Sequence, residues 1–356
     1  MLRSVRNIIV NIIAVFIRDR EARYAFRNKY KRKSKFRTLS DDLIQLREDN
    51  KRLFNEINSI KAELQAEKCF TFRVGPMDNL PPQGLDSYVF LAITCVAKNE
   101  GPYLKEWIEY HKIVGVERFY IYDNESDDNT KDVLAPYIQD GTVAYHYLPN
   151  HQITKRVPHI EAINDAIFKY RDRTKWMAII DADEFIVPVE KNSIPEFLED
   201  YDQYPSVVVN WRMFDSNGHE SKPTAHGGLV TANYTRVRKN NPDSRVIKSI
   251  VDPKMVLHYS SPHFGLYYKD YPAVTENFEP QRGMYTKNLS SKKIRINHYR
   301  SKSKEEYIKR YRRNVKGTSM VDKFNEGEVN FKVETSHDFT IQKYLPKLKI
   351  AMGIAD

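Results

Sequence analysis

Trp176-Met-Ala-Ile-Ile-Asp-Ala-Asp-Glu-Phe185 runs from an apolar stretch of strand length straight into Asp181, Asp183 and Glu184. An uninterrupted apolar run bounded by polar residues is the pattern of a strand buried on both faces. Working outward from Lys175–Ile180, the same alternation recurs. Upstream, Val89–Ala97 predicts a buried strand, 102–114 a helix with Leu104, Trp107, Ile108 and His111 at helical spacing, and 118–122 a second strand. A helix over 128–139, a strand over 142–147 and a helix over Pro158–Tyr170 follow. Repeated strand-helix alternation predicts a parallel α/β sheet, in which ligands sit at the carboxyl ends of the strands.

Three polar clusters fall at such ends: Lys98-Asn99-Glu100, Asp123-Asn124-Glu125-Ser126-Asp127-Asp128 and Asp181-Ala182-Asp183-Glu184. A lone D-x-D is common, and acidic turns often only cap the next helix. Three clusters at the ends of one sheet converge on one crevice. Carboxylates one residue apart can ligate a divalent cation directly or through water, and such a cation can bridge the oxygens of a diphosphate leaving group. Asp181 and Asp183 suit that role. Neither a G-x-x-x-x-G-K-[ST] nor a G-x-G-x-x-G motif is present, so phosphate cradling of the P-loop or dinucleotide kind has no support.

Five blocks in order, Val96-Ala-Lys-Asn-Glu100, Tyr122-Asp-Asn-Glu-Ser-Asp127, Trp176 to Phe185, Asn210-Trp-Arg-Met-Phe-Asp-Ser-Asn-Gly-His219 and Asn297-His-Tyr299, resemble glycosyltransferase family 92 and related family 2-like enzymes. The resemblance covers about residues 90 to 315. It implies a GT-A domain, Rossmann-like with a mostly parallel sheet, a nucleotide-sugar donor, usually a uridine diphosphate sugar, and a divalent metal, Mn2+ or Mg2+. It places Ala97, Lys98, Asn99 and Glu100 near the nucleoside, Asp123 and Asn124 near base or ribose, and Asp181 with Ala182 and Asp183 at the metal and diphosphate. His298 is the candidate third metal ligand, or else a structural His at a strand end.

The segment after Trp211 departs from the family pattern, with Asp215 where a Gly is expected. An inverting enzyme needs a general base within reach of the acceptor hydroxyl. Asp215, His219 and Glu220 are the candidates; His219 is preferred because it belongs to a matched block, against the alternative that it only holds its loop. His258 and His263 either line the acceptor cleft or are local structure. Tyr307, Ile308 and Tyr311 predict a C-terminal helix packed on the sheet.

The N-terminus has a different character. Lys and Arg number 57 against 47 Asp and Glu, a net charge of +10, and ten of those bases lie between Arg18 and Arg37 against Asp19 and Glu21 alone. Residues 1–38 join the apolar Ile8–Ile17 to this basic, aromatic stretch, the composition of a segment that lies on an anionic membrane. A disordered tail is the bland alternative, and a nucleic-acid arm finds no accompanying fold. Ile8–Ile17 is too short to span a bilayer. From Leu39 to Leu64, Leu43, Ile57 and Leu64 fall at heptad position a and Leu39, Leu46, Leu53 and Ile60 at d, with Asn50 the one polar residue at a, predicting a parallel two-stranded coil. The expected division is 1–38 membrane-associating, 39–68 coiled coil with a homodimer through 39–66, 69–87 linker, and 88–356 catalytic.

Cys69 and Cys95, the two cysteines, make no disulfide framework and fit a reducing compartment. The expected protein is a cytoplasmic glycosyltransferase, peripheral on the inner face of a membrane, acting on a glycan or lipid-linked acceptor in surface polysaccharide synthesis. The rivals are a membrane-bound scaffold with an inactive domain, which intact Asp181 and Asp183 oppose, and a sugar-phosphate nucleotidyltransferase, which would carry a Gly-rich loop after Val96.

Overall fold

The computed structural model describes residues 87–150, 158–239, 241–312 and 334–354. The expected membrane segment, coil and nearly all of the linker lie outside the described residues. Strands β1 (Val89–Ala97), β2 (Arg118–Asp123), β3 (Val143–Tyr147) and β4 (Thr174–Ile179) alternate with helices α1 (Gly101–Ile113), α2 (Thr130–Gln139) and α3 (Pro158–Tyr170). The four strands are mutually parallel in the order β3-β2-β1-β4. Each helix returns the chain to the same edge, so the strands end together: Ala97 pairs with Asp123, and Asp123 with Tyr147.

Side chains alternate across these strands with period two. Leu91, Ile93, Cys95 and Ala97 of β1 pack in one cluster with Leu104, Trp107 and Ile108 of α1 and Leu134 of α2. Ala92, Tyr120, Tyr122, Met177 and Ile179 point into a second cluster with Ala162, Ile163, Ala166 and Ile167 of α3. Helices therefore cover both faces, and the strands read as continuous apolar runs.

Beyond β4 the sheet is mixed, where strand-helix alternation alone predicts parallel pairing. After β5 (Glu184–Pro188), the short α4 (Ile194–Leu198) and β6 (Ser206–Met213), the chain makes a long excursion through α5 (Val230–Asn233) and β7 (Arg236–Arg238). It comes back to the end where β6 finished, so β8 (Ile247–Val251) must run backwards between β6 and β4, with Asn210 opposite Ile247 and Ser206 opposite Val251. The hairpins β9 (Val256–Tyr259) with β10 (Gly265–Tyr267) and β11 (Ala273–Val274) with β12 (Pro280–Gln281) follow.

Then β13 (Ile294–His298) lies antiparallel to β5 and parallel to β6, with His298 opposite both Glu184 and Met213. Helix α6 (Lys304–Arg312), β14 (Thr335–His337), paired with β7, and α7 (Leu345–Met352) complete the described chain. Among the described residues no helix is long and apolar enough to cross a membrane.

Candidate active site

Helix α1 fixes the position of β5, and through it the turn that carries the acids. Trp107 donates from Nε1 to Glu184 O at 2.8 Å, and Tyr110 donates from its hydroxyl to Ile186 O at 2.9 Å. His111 donates from Nδ1 to Trp107 O at 2.8 Å and accepts the Ile186 N–H at Nε2, 3.2 Å away. Burial holds this imidazole neutral, with its pKa lowered to about 3, which suits a ring that donates at one nitrogen and accepts at the other.

Asp181 and Asp183 stand on the turn between β4 and β5. Lys248, a buried lysine at the second position of β8, donates to Asp181 Oδ2 at 2.9 Å and lies 3.7 Å from Glu184 Oε2. Burial would lower the Lys248 pKa, but Asp181 and then Glu184 outweigh it and raise it. His159 of α3 approaches Asp181 Oδ1 at 3.8 Å. Burial would raise the Asp181 carboxyl; Lys248 and His159 bring it below the usual carboxylate range instead. Glu184 is fully buried, accepts the Asp181 N–H at 3.0 Å, and is pushed well above its ordinary pKa by burial, which Lys248 only partly offsets.

Asp183 is 2% exposed. Arg310 of α6 donates to its Oδ2, and its Oδ1 faces His298 Nε2 at 3.6 Å. Against the pull of burial, Arg310 and then His298 hold the Asp183 carboxyl well below its ordinary range. The register of β13 brings His298 here, and Tyr299 locks that register by donating its N–H to Asp183 O at 2.9 Å. His298 Nδ1 is buried without a hydrogen-bond partner among the described residues. Trp211 of β6 lies against the His298 ring at 4.4 Å between centroids and against His263 at 5.5 Å, so His263 belongs to this wall.

The two other strand-end clusters are laced to each other. Asn99, in the left-handed region at φ 59°, donates its N–H to Ser126 Oγ at 2.9 Å and accepts the Asp127 N–H at 2.8 Å. Gly101 donates its N–H to Asp128 Oδ2 at 3.1 Å, and a Cβ at this glycine would stand 2.3 Å from Asn129 Oδ1. Asp123 is buried, accepting from the Tyr145 hydroxyl at 2.8 Å and the Ser126 N–H at 2.9 Å. Asn124 donates from Nδ2 to Leu148 O at 2.9 Å, and its N–H reaches Ala97 O at 2.8 Å. Lys98 is exposed, whereas Ala97 and Ala182 are buried. Glu100 faces the ammonium of Lys302 at 3.7 Å, and burial raises its pKa. Lys302, itself at φ 48°, lies 3.7 Å over the Tyr103 ring.

The three acceptor-side candidates sit differently. Asp215 is 3% exposed and saturated: Arg236 Nε lies 2.8 and 2.9 Å from its two oxygens, and the Asn217 N–H donates at 2.9 Å. Glu220 is exposed and pairs with Lys304 at 3.1 Å. His219 places Nε2 3.3 Å from Asn233 O, with its ring edge-on to Tyr234. Helix α5, which presents that Asn233 carbonyl, is held by Glu106 of α1, a buried carboxylate that accepts from Val230 N–H, Thr231 N–H and Thr231 Oγ1 at 2.7, 2.9 and 2.8 Å.

Sequence reasoning missed Lys248, Lys302 and Arg310. Lys248 left a signal, a lysine inside the apolar run Ile247–Val251, since a buried lysine is rare unless paired. Arg310 left none, being one base in a helix full of them.

Among the described residues no group of three His, Cys, Asp or Glu side chains is placed to hold a metal ion together. Asp183 Oδ1 faces His298 Nε2 and Asp181 stands on the same turn; carboxylates are the donors that suit Mn2+ or Mg2+. These residues fit a divalent cation completed by ligands from a substrate.

The family model of glycosyltransferase family 92 matches residues 93–338, from within β1 to just past β14. A glycosyltransferase family 92 protein of Ricinus communis is 29% identical over 252 residues, covering 68% of this chain and 41% of that protein. A galactan β-1,4-galactosyltransferase of Arabidopsis thaliana is 35% identical over 146 residues, covering 38% of this chain and 29% of that one. The chain thus spans well under half the length of these relatives. Among solved structures, S. aureus TarS in complex with UDP aligns at 11% identity with a TM-score of 0.32, over 47% of this chain and 48% of that one. With the family model matching more than half of its length, including the Asp181–Asp183 turn and His298, the chain belongs to glycosyltransferase family 92.

Proposed function

We propose that this chain is a GT-A glycosyltransferase that transfers a sugar, galactose in the first instance, from a uridine diphosphate sugar to a glycan or lipid-linked acceptor with inversion. The observation that carries the reading is the pairing of Asp183 with His298 at the carboxyl edge of the sheet, inside the matched family domain. The galactan β-1,4-galactosyltransferase relative motivates the choice of sugar and of a β-linked product.

Asp183 and His298, with Asp181 beside them, would hold a divalent cation, Mn2+ or Mg2+, which supplies charge neutralisation for the departing diphosphate. The protein's own groups do the rest. The laced loops at Ala97–Glu100 and Asp123–Asn124 form the wall for the nucleoside, and Ala182 lets a ligand approach the acidic turn closely. Among the acceptor-side candidates, Asp215 acts as the anchor of its loop and Glu220 as a surface partner of Lys304. His219 is the base: a carbonyl only accepts, so Asn233 O keeps the proton on Nε2, and Nδ1 carries the lone pair that takes the acceptor's proton.

The test is incubation of the full chain with Mn2+, a panel of UDP-sugars and β-galactan oligosaccharides, reading UDP release and product linkage. UDP release with chain extension supports the reading; with pyrophosphate added in a parallel assay, formation of UTP and sugar 1-phosphate from the UDP-sugar would replace it with a nucleotidyltransferase. Binding of UDP without turnover of any sugar would leave the scaffold. Attachment of residues 1–38 to the cytoplasmic face of an anionic membrane, and parallel pairing through residues 39–66, belong to the same proposal. They are checked by vesicle co-sedimentation across salt and by light scattering of the chain with and without those segments.

A further inference from the structure

The carboxylate proposed for the metal is already held by a cation of the protein's own. Arg310 donates from Nη1 to Asp183 Oδ2, and its side chain is 39% exposed whereas that of Asp183 is 2% exposed, so the guanidinium covers the carboxylate from the solvent side. One helical turn earlier, on the same face of α6, Glu306 accepts from the hydroxyls of Tyr103, Tyr234 and Ser303. The base of the helix is thereby tied to α1 and to the end of α5, which aims the next turn, and Arg310, at the acidic turn.

The acids around this pair are interleaved with bases. Among the described residues Glu100, Asp181, Asp183 and Glu184 stand with Lys248, Lys302 and Arg310. A dication arriving alone takes Asp183 only by expelling a guanidinium from its ion pair. A nucleoside diphosphate arriving with it brings the negative charge that Arg310 gives up, in a form that a guanidinium binds bidentately.

We propose that Arg310 occupies Asp183 while the donor is absent and passes to the donor's diphosphate when it binds, so that cation and nucleotide enter the site together. This inference rests on the glycosyltransferase reading above and adds a donor-binding residue to it. Its signature is a coupling between two ligands.

The experiment measures Mn2+ binding to the full chain by the loss of the free-ion electron paramagnetic resonance signal, with and without UDP. Wild type, Arg310→Met and Arg310→Lys are compared, and the far-ultraviolet circular dichroism of each confirms its fold. In the wild type UDP should tighten Mn2+ by at least about tenfold. In Arg310→Met, Mn2+ alone should bind about tenfold tighter than to wild type, and the UDP effect should shrink to about threefold or less. Arg310→Lys keeps the charge and should hold Mn2+ alone at the wild-type level. Equal Mn2+ affinities in wild type and Arg310→Met, or tight binding by Arg310→Lys, overturn the exchange while leaving the glycosyltransferase reading in place. Absence of Mn2+ binding in all three proteins with UDP present overturns both.

Discussion

Asp183 and Asp215 are both buried aspartates joined to an arginine, and they are built for opposite ends. Asp215 sits in a closed set: Arg236 reaches both oxygens, Arg238 comes within 3.8 Å, and the Asn217 N–H fills a further lone pair. Its partners come from the neighbouring strand β7 and its own loop, so they fold with it. Asp183 takes its arginine from a helix 127 residues away, and its other oxygen faces an imidazole at a distance too long for a hydrogen bond. A saturated carboxylate is structure, whereas one held by an exposed cation and a half-engaged histidine is available for exchange.

Replacing each aspartate breaks the comparison most sharply. Asp183→Asn removes the anionic donor from the proposed metal seat, and sugar transfer should fall by about 10³-fold or more, since metal stabilisation of a leaving group is worth several kcal/mol. Its melting temperature should fall by less than that of Asp215→Asn, because Arg310 is 39% exposed and can turn to water. A variant that keeps wild-type turnover at saturating Mn2+ would remove Asp183 from the chemistry. Asp215→Asn should do the reverse, destabilising the chain by about 3 kcal/mol because Arg236 and Arg238 are left facing a neutral amide. Urea unfolding measures this, and an unchanged midpoint would mean the pair is not structural.

The arginines should separate in the same way by smaller amounts. Arg236→Met is expected to cost about 2 kcal/mol in the same unfolding measurement, and Arg310→Met about 1 kcal/mol, less because Asp183 keeps His298 facing its other oxygen. Equal costs would erase the distinction between the two sites.

A gentler probe is pH. Burial lowers both His111 and His146 to about 3, against about 6.5 in the unfolded chain. Protons bind the unfolded state first, so the stability these rings contribute is present above pH 6.5 and is lost as pH falls toward 3, by about 1.4 kcal/mol per pH unit for each ring. Asp181 and Asp183, both depressed, add to the loss only once pH falls below the ordinary carboxylate range. Glu100 and Glu184, raised by burial, take up protons in the folded state first and oppose this drop, so melting temperatures taken from pH 7.5 down to pH 5 should drop more steeply in the wild type than in His146→Phe. Equal slopes in the two proteins would mean that the His146 imidazole is solvated.

How far the sequence could be read follows from where each residue's partners lie. Strands β1 to β4 and their helices were legible because burial on both faces leaves continuous apolar runs, and because parallel strands force their ends, and the polar clusters on them, to one edge. The reversal of β8 was not, since its direction depends on where the excursion from Phe214 to Arg245 returns. Asp181, Asp183 and His298 carry their chemistry in their own types and in a family motif. Asp215 drew attention for departing from that motif, and its closed set of bonds depends on Arg236, which no spacing rule connects to it. Lys302 and Arg310 come near the acids through the packing of α6, a relation that leaves no periodicity to detect.

The lacing of the β1 and β2 loops has a kinetic consequence. Asn99 and Glu125 are held in left-handed conformations, and the amides of Asn99, Gly101, Asp127 and Asn150 are each bonded to a side chain of another loop. Among the described residues this wall is completed during folding, so if it receives a nucleoside as proposed, none of these bonded residues is left to order. Association there should proceed in one step, at a rate set by encounter and not by loop closure. Those four amides should exchange with solvent deuterium as slowly in the free protein as in its complex with UDP.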